Sequence, residues 1–309
     1  MQPERRAFCL APLAALAACA ADGVAPRQDA LAGRAWDAAA RRFVDPEEAR
    51  ARIAAAPVAL LGETHDNPAH HQLQRTLLEQ ALHAGRRPAL AMEQIDLEWQ
   101  ADVDRAIASG AGAGEVGTVA HATRGWDWRF YSPLVALAIS NALPVVALNL
   151  SRERTRRIVA EGLDALGPQE TARLALDAAW NPQRNAQLRR EIVQGHCGDD
   201  SPIVDKLVDV QRAKDAVMAD RILAASGRGV IAILGRGHAR KDLGVPLYLA
   251  ARAPALRVLS LGLTEVDPDA KGVEDYAEAR PGRFDIVWFT EAAERDDPCR
   301  AFKGLPAPR

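Results

Sequence analysis

Two glutamates and two histidines stand directly after short apolar runs, at widely separated places in the chain. Glu63 and His65 follow the first run, Glu93 follows the second, and His238 follows a later one. Two carboxylates and two imidazoles brought together can hold a divalent metal, with His65 and His238 as ligands, or can position a water beside a general base. The residue types therefore predict a polar site, provided that the fold gathers them.

The elements between these residues predict how the fold would do so. Apolar runs with the bounds of buried strands alternate with segments of helical spacing; the six runs are residues 58–62, 88–92, 145–148, 230–234, 256–261 and 284–289. This alternation is typical of an α/β fold with a mainly parallel sheet covered by helices on both faces. The four residues, with Asn149 after the third run, would then share the carboxyl edge of one sheet. Residues 151–226 are mostly helical and predict a cap inserted between the third and fourth strands.

Each residue also has an ordinary structural interpretation when it is taken singly. His65 could orient the start of the following helix, and His238 could be a satisfied loop histidine. Glu93 could be an ion-pair partner of Arg124 or Arg129. The functional interpretation depends on the repeated placement after strands.

An aromatic run at residues 126–131 stands out in a chain with only 5% aromatic residues. It predicts either core packing beneath the helical cap or a wall on which a flat ligand stacks. Tyr131 in this run could also be an axial ligand to haem iron, because phenolate is an accepted donor. His70 and His71 lie in the first turn of a helix, where we expect exposure to solvent, with the alternative that one of them faces the site.

The N-terminus has the pattern of an export signal. Arg5 and Arg6 give a basic start, and residues 7–18 are almost wholly apolar but too short to span a membrane. The four residues that end at Cys19 resemble a bacterial lipobox, which implies cleavage before Cys19 and lipidation of its thiol. Because Ala20 follows rather than aspartate, the resemblance implies an outer-membrane anchor facing the periplasm. The alternative is ordinary signal cleavage, which would leave a soluble periplasmic protein.

Export also decides the expected state of the four cysteines. Cys9 would leave with the signal and Cys19 would carry lipid. Cys197 and Cys299 would remain as a pair in an oxidising compartment, where we expect a disulfide. The alternative is ligation of a metal or haem by Cys197 with its neighbour His196.

Composition argues against a nucleic-acid partner. The formal net charge is −2 and the sequence pI is about 6.4. A nucleic-acid-binding protein usually carries a basic excess, which is absent from this chain.

Several motifs of the chain, taken in order, resemble those of the ChaN-like haem-binding lipoproteins. The matching segments are residues 58–67, 70–71, 91–94, 128–133, 144–149, 211–219, 233–238 and 244–246. By position, the residues that match the family's motifs are Glu63, His65, Glu93 and His238. The lipobox fits the same family.

The resemblance implies a member of the Tiki and erythromycin-esterase superfamily that takes part in haem or iron uptake or storage. It implies haem as cofactor, bound by a tyrosine or histidine, with arginines on the propionates and a homodimer around the haem. The candidate haem-binding residues are His65, Tyr131, His238, Glu63, Glu93 and Asn149. Other branches of the superfamily are hydrolases, so an esterase- or protease-like enzyme that uses the Glu/His set, with or without a divalent metal, is the alternative.

The expected domain organisation has four parts. Residues 1–18 form the signal peptide and residues 19–48 a linker or helix. Residues 49–292 form the ChaN-like domain, and residues 293–309 a C-terminal tail.

Overall fold

A single mixed sheet organises the molecule. The computed structural model describes residues 31–296 and 299. Within this part of the chain, the sheet has eight strands in the order β2-β1-β8-β7-β3-β6-β4-β5. The strands are β1 (Ala35–Asp37), β2 (Arg42–Val44), β3 (Val58–Glu63), β4 (Ala89–Asp96), β5 (Val145–Asn149), β6 (Val230–Gly235), β7 (Val258–Glu265) and β8 (Ile286–Thr290).

The six strands from β3 to β8 are mutually parallel, which confirms the expected α/β fold. Every residue of β3 and β6 is buried, because helices cover both faces of the sheet. The central strands therefore read as continuous apolar runs rather than alternating ones. Side chains alternate between two cores: Ala59 and Leu61 belong to one, whereas Val58 and Leu60 belong to the other.

Helices are divided between the two faces. The described α-helices are α1 (Pro46–Ala55), α2 (Pro68–His83), α3 (Gln100–Ala108), α4 (Ala113–Val119), α5 (Trp128–Ser140), α6 (Arg152–Glu161), α7 (Gly167–Leu174), α8 (Pro182–Gly195), α9 (Ile203–Ala225), α10 (Arg236–Ala239) and α11 (Val245–Arg252). Apolar residues of α1 to α5 pack in the first core, and those of α6, α7, α9 and α11 pack in the second. The predicted cap between the third and fourth predicted strands corresponds to α6–α9, which lie between β5 and β6.

Local signals set several helix boundaries. Asn67 caps α2 by accepting hydrogen bonds from the next turn, and Pro68 occupies the first helical position. Asp127 caps α5 by accepting from the amide of Arg129, so this helix begins at Trp128 and contains Pro133. The aromatic run therefore opens a helix rather than preceding one.

The expectation of a linker or helix over residues 19–48 is wrong for the part that the structure describes. β1 and β2 pair antiparallel as a hairpin, and β1 pairs antiparallel with β8. Strands of three residues are too short to show an alternating pattern in the sequence. The hairpin joins the sheet because β1 pairs with β8. Residues 1–30, with the predicted signal peptide and the lipidation site Cys19, lie outside the described residues.

No helix in the described residues combines the length and the apolarity that crossing a membrane requires.

Candidate functional site

The carboxyl ends of four neighbouring strands meet near the middle of the sheet. Glu63 ends β3, Gly235 ends the adjacent β6, Glu93 lies near the end of β4, and Asn149 ends β5. Because β6 lies between the earlier strands β3 and β4, the connections from this part of the sheet run towards both of its edges. Such a switch in strand order opens a crevice at the carboxyl edge. The structure therefore brings the predicted residues to one place.

Glu63 is the buried anchor of this site. Its Oε1 accepts from Tyr131 Oη at 2.7 Å, from His65 Nδ1 at 2.9 Å and from Gln94 Nε2 at 3.2 Å. Its Oε2 accepts from Gln74 Nε2 at 2.7 Å, and His71 Nδ1 lies 3.3 Å from the same oxygen. A carboxylate with no exposed surface needs donors of this kind to offset desolvation. Glu63 therefore orients the side chains that donate to it.

His65 is the half-exposed member of the site. Its side chain is 41% exposed, and because Nδ1 points to Glu63, Nε2 is left free. Burial lowers the pKa of His65, but the hydrogen bond to Glu63 and the charge of Glu93 outweigh it and raise the pKa. Gly235 leaves room for the ring, since a Cβ there would lie 3.0 Å from Nε2. The Glu63–His65 dyad can act as a base or as an oriented ligand.

His238 is enclosed between two acids. Its Nδ1 lies 2.7 Å from Asp215 Oδ1, and its Nε2 lies 3.4 Å from Glu93 Oε1. Glu93 Oε2 also accepts from the amide of Gly235 at 2.7 Å. Burial opposes a charge on His238, but the two carboxylates outweigh it and raise its pKa to about 10. Burial in turn raises the pKa of Asp215 to about 6, whereas the pKa of Glu93 is lowered because the attraction of His238 outweighs desolvation.

Asp215 is a site residue that sequence reasoning did not select. It lies on α9, 4% exposed, within a stretch of buried alanine, valine and methionine. An isolated acid among apolar neighbours at helical spacing is the signal that could have identified it, because a buried charge needs a partner. Glu93 does lie in an ion pair, as one interpretation predicts, but not with Arg124 or Arg129. The partner is His238, and Arg129 instead pairs with Asp127.

Both His70 and His71 are buried, so the expected exposure to solvent is wrong, and His71 instead faces Glu63 of the site. His70 Nδ1 accepts from the amide of Thr64 at 2.9 Å, and its Nε2 lies 2.9 Å from Thr290 Oγ1. Burial lowers the pKa of His70 to about 4, so this ring is a neutral link between β3, α2 and β8. His71 donates from Nε2 to the carbonyl of His65 at 3.0 Å and stacks on Phe130.

The aromatic run does not pack beneath the helical cap as predicted, because its members belong to the core shared with α1 to α5. Trp128 is buried and donates to the carbonyl of Ala113 at 2.9 Å. Tyr131 is fully buried, and its hydroxyl donates to Glu63. This arrangement contradicts the interpretation of Tyr131 as an accessible axial ligand. Its pKa is raised by burial and by the charge of Glu63, which further disfavours a phenolate. Trp126, in contrast, lines a cleft and packs edge-on against His65, with ring centroids 4.8 Å apart.

A first cleft, here called the basic cleft, opens beside Trp126 and has a volume of about 670 Å³. Its lining includes aromatic rings, amides and cations: Trp99, His121, Trp126, Gln94, Asn149, Arg124, Arg152, Arg156 and Lys214. None of the four cations forms an ion pair with an acid of the described residues, as the chain's salt bridges lie elsewhere. Two acids, Asp96 and Glu98, also line the cleft. The four cations exceed these two acids, so the lining carries a formal excess of positive charge.

A second cleft, here called the ion-paired cleft, is lined in part by His65 and has a volume of about 440 Å³. It is lined by Glu63, His65, Glu191, His196, Asp215, Arg236, His238 and Arg240, among others. Its cations are already neutralised: Arg240 contacts Glu191 and Asp242, and Arg236 lies 3.5 Å from Glu278.

Neither a divalent metal at His65 and His238 nor ligation by Cys197 fits the arrangement of these residues. Among residues 31–296 and 299, no group of three or more His, Cys, Asp or Glu side chains is placed to hold a metal ion. The ring nitrogens of His238 both face carboxylates. Cys197, at the end of α8, forms a disulfide with Cys299, with Cα atoms 5.5 Å apart.

Solved structures with a similar fold include ChaN of Campylobacter jejuni, in a structure described as showing cofacial haem binding. It matches with a TM-score of 0.68 and 22% identity, over 82% of this chain and 95% of that one. A mutant of the erythromycin esterase EreC in its open conformation matches with a TM-score of 0.46 and 11% identity, over 82% of this chain and 95% of that one. No curated protein matches the chain.

The family comparison agrees with the motifs and with the fold. The family described as "Haem-binding uptake, Tiki superfamily, ChaN" matches residues 49–249. This range includes the carboxyl ends of β3, β4, β5 and β6, where the two clefts lie. This match confirms the resemblance on which the sequence interpretation rested. The chain therefore belongs to the haem-binding uptake family of ChaN proteins in the Tiki superfamily.

Proposed function

We propose that this protein is a haem-binding outer-membrane lipoprotein that faces the periplasm and takes part in haem or iron uptake or storage. Family membership supports the haem-binding part of the proposal. The single observation that carries it for this chain is the basic cleft, where aromatic rings and unpaired cations line one cavity. The lipobox that ends at Cys19 supports the anchor.

The lining of the basic cleft suits a flat, anionic, largely apolar molecule. Its volume of about 670 Å³ lies within the range of about 300–1,000 Å³ typical of small-molecule pockets. Trp99 and Trp126 offer ring surface against which a porphyrin can pack. The buried amide oxygens of Gln94 and Asn149 have no hydrogen-bond partner, so the cleft retains polar capacity for a ligand or a water. The residues present therefore fit haem.

Arg124, Arg152, Arg156 and Lys214 are the residues that would hold the propionates. Guanidinium groups bind carboxylates with two parallel hydrogen bonds, and such charge-assisted bonds are stronger than neutral ones. A bound haem supplies the iron that uptake or storage requires. The chain's own residues bind the carboxylates, pack against the ring and keep the Glu63 network behind Trp126 intact.

Haemin titration of the purified protein tests the proposal. We expect a shifted Soret band that saturates at a defined stoichiometry. The affinity should fall with rising ionic strength, because the cleft's cations act through charge. A spectrum that remains that of free haemin at all ratios would contradict haem binding.

A homodimer around the haem is part of the proposal, since the ChaN of Campylobacter jejuni binds haem cofacially. Light scattering of the protein with and without haemin measures this directly. We expect the mass to double when haemin is added. An unchanged monomer mass with haem bound would limit the proposal to a single-chain site.

The anchor is tested separately in a bacterial host that lipidates exported proteins. We expect radiolabelled palmitate to be incorporated into the full chain and the protein to fractionate with the outer membrane. Cys19→Ser should abolish both, leaving a soluble periplasmic or uncleaved protein. Label retained in the variant would refute lipidation at Cys19.

A second candidate function, a hydrolase, is favoured by the free Nε2 of His65 in the ion-paired cleft. A glutamate that orients a half-exposed histidine is an arrangement that can activate water. Glu93 and His238 would complete the site. A panel of chromogenic esters and peptides tests this: turnover that disappears in both His65→Ala and His238→Ala would establish it, and no turnover by the intact protein would refute it.

A further inference from the structure

We propose that the imidazole of His121 is the protein ligand to the iron of haem bound in the basic cleft. This inference rests on the proposed function and deepens it by assigning the residue that contacts the metal. A ligand to this iron must carry a suitable donor atom and line the cleft.

The three tyrosines of the chain do not reach it. Tyr131 and Tyr248 have no exposed surface, and Tyr276 is 7% exposed. The hydroxyl of Tyr131 donates to Glu63, and that of Tyr276 accepts from the amide of Asp267 at 2.7 Å. None of the three lines the basic cleft. A phenolate ligand would therefore require the core to open.

Most of the seven histidines, all of which lie in the described residues, are also unsuitable. Both ring nitrogens of His70 are engaged, and those of His238 both face carboxylates. His71 is buried, with Nε2 bonded to the carbonyl of His65 and Nδ1 facing Glu63. His83 is exposed at the end of α2 and lines neither cleft. His65 and His196 line the ion-paired cleft and are not among the residues that line the basic cleft.

His121 is the histidine that lines the basic cleft. It is half-buried, and neither of its ring nitrogens has a hydrogen-bond partner among the described residues. Its ring lies against Trp99, with centroids 4.1 Å apart and planes tilted by 50°. The indole therefore restrains the imidazole while leaving its nitrogens available to a metal. Imidazole is the commonest protein ligand to haem iron in globins and peroxidases.

The backbone at His121 adds an independent observation. Its φ of +51° lies in the left-handed region, which a side chain with a Cβ adopts at a cost. This turn follows α4 and directs the chain into the segment that supplies Arg124 and Trp126. Strained backbone persists where the surroundings enforce it, and it concentrates at binding sites. His121, Arg124 and Trp126 thus line the same cleft from one short segment.

The test is the electronic absorption and electron paramagnetic resonance of the haemin complex. We expect a histidine-ligated ferric signature in the intact protein. His121→Gly should shift the Soret band and weaken haemin binding by at least tenfold, and added imidazole should restore the original spectrum. Circular dichroism of the variant before titration shows that the fold is retained. His83→Ala serves as the matched control, with no expected change.

The outcomes separate this inference from the proposed function. If the intact protein binds haemin and His121→Gly gives an identical spectrum, the ligand assignment is overturned while haem binding stands. A spectral change confined to His65→Ala would also overturn it and would move the iron to the ion-paired cleft. If the intact protein does not bind haemin, both the function and the ligand assignment fail.

Discussion

The two clefts flank the same Glu/His cluster and differ in how their cations are used. In the ion-paired cleft, Arg240 and Arg236 are each matched by carboxylates of the chain. In the basic cleft, Arg152, Arg156 and Lys214 contact no acid of the described residues. Paired charges stabilise the local structure. Unpaired cations that line one cavity create an electric field that attracts an anion. The comparison shows that the pairing of charges, rather than their number, distinguishes a binding surface from a structural one.

The buried acids of the site and the cations of the basic cleft also differ in exposure. The deep members of the cluster, Glu63, Glu93 and Asp215, are buried and held by several partners. Breaking such a pair leaves an uncompensated charge, so these residues are expected to determine stability. The cations of the basic cleft are largely exposed and are expected to determine affinity. Substitution of a buried residue should therefore change stability, and substitution of an exposed cation should change haemin affinity.

The largest effect should come from the disulfide that ties the end of α8, beside the ion-paired cleft, to the C-terminal segment. Cys197 and Cys299 are 102 residues apart, and closing a loop of that size is worth about 4–5 kcal/mol in the chain-entropy description. We expect Cys197→Ser combined with Cys299→Ser to lower the free energy of unfolding in urea by about that amount. The intact protein under reducing conditions should match the variant. Haemin affinity of the folded variant should be unchanged, and a large loss would show that the two clefts are coupled.

Removal of the acid beneath His238 should have the next largest effect. Asp215→Ala leaves a buried imidazolium with one partner fewer, and breaking a buried pair in this way costs about 3–5 kcal/mol. The matched control is Asp209→Ala on the same helix, whose carboxylate lies 3.9 Å from Arg212 and is partly exposed; it should cost less than about 1 kcal/mol. Thermal and urea unfolding measure both. Equal effects for the two variants would contradict the structural role of Asp215.

Acid should destabilise the protein through His70. Its pKa is about 4 in the folded protein against 6.5 in the unfolded chain, because burial disfavours the charged ring. The unfolded state therefore binds more protons between these values, and stability should fall by about 3 kcal/mol as pH drops from 6.5 through 4. Urea unfolding at several pH values, compared with His70→Gln, isolates this contribution. A variant with the same acid dependence as the intact protein would refute it.

Alkali should act through the ion-paired cleft. The pKa of His238 is raised to about 10, so its contribution is fully present below pH 6.5 and is lost as pH rises through 10. We expect His238→Asn to remove this alkaline loss of stability. If the intact protein and the variant respond identically between pH 7 and 10, His238 is not the charged partner of Glu93.

The smallest effect should be on haemin affinity. Replacing Arg152 or Arg156 by alanine should weaken binding about tenfold, equivalent to about 1.4 kcal/mol, and the double variant about a hundredfold. The matched control is Arg236→Gln in the ion-paired cleft, which should change the affinity less than twofold because its charge is already paired with Glu278. Stability should be nearly unaffected in all of them. A comparable loss in the control would remove the distinction between the two clefts.

The strands could be predicted from sequence because their physical signature is local. Each of the six predicted runs contains a strand, since residues buried on both faces must be apolar throughout. The order of polar residues after those runs also predicted the edge at which they meet. The hairpin β1–β2 was missed because its strands are short and acquire their identity only through pairing with β8.

The side-chain contacts of the site were harder to predict, because the residues in contact lie far apart in the sequence. Asp215 lies 23 residues from His238 in sequence, and Tyr131 lies 68 residues from Glu63. Nothing in the local pattern specifies that Tyr131 would donate to Glu63 rather than face a ligand. The solvent exposure expected for His70 failed for the same reason, because its partner Thr290 lies at the other end of the chain.

The sequence by itself determined the alternation of elements, the family and the identity of the acids and imidazoles at the strand ends. Only the tertiary structure decided which charges are paired, which histidine nitrogens are free and which cleft each cation lines. The physical reason is that propensity and periodicity are short-range properties of the chain. Charge compensation and burial, in contrast, depend on groups that become neighbours only when the sheet closes around them.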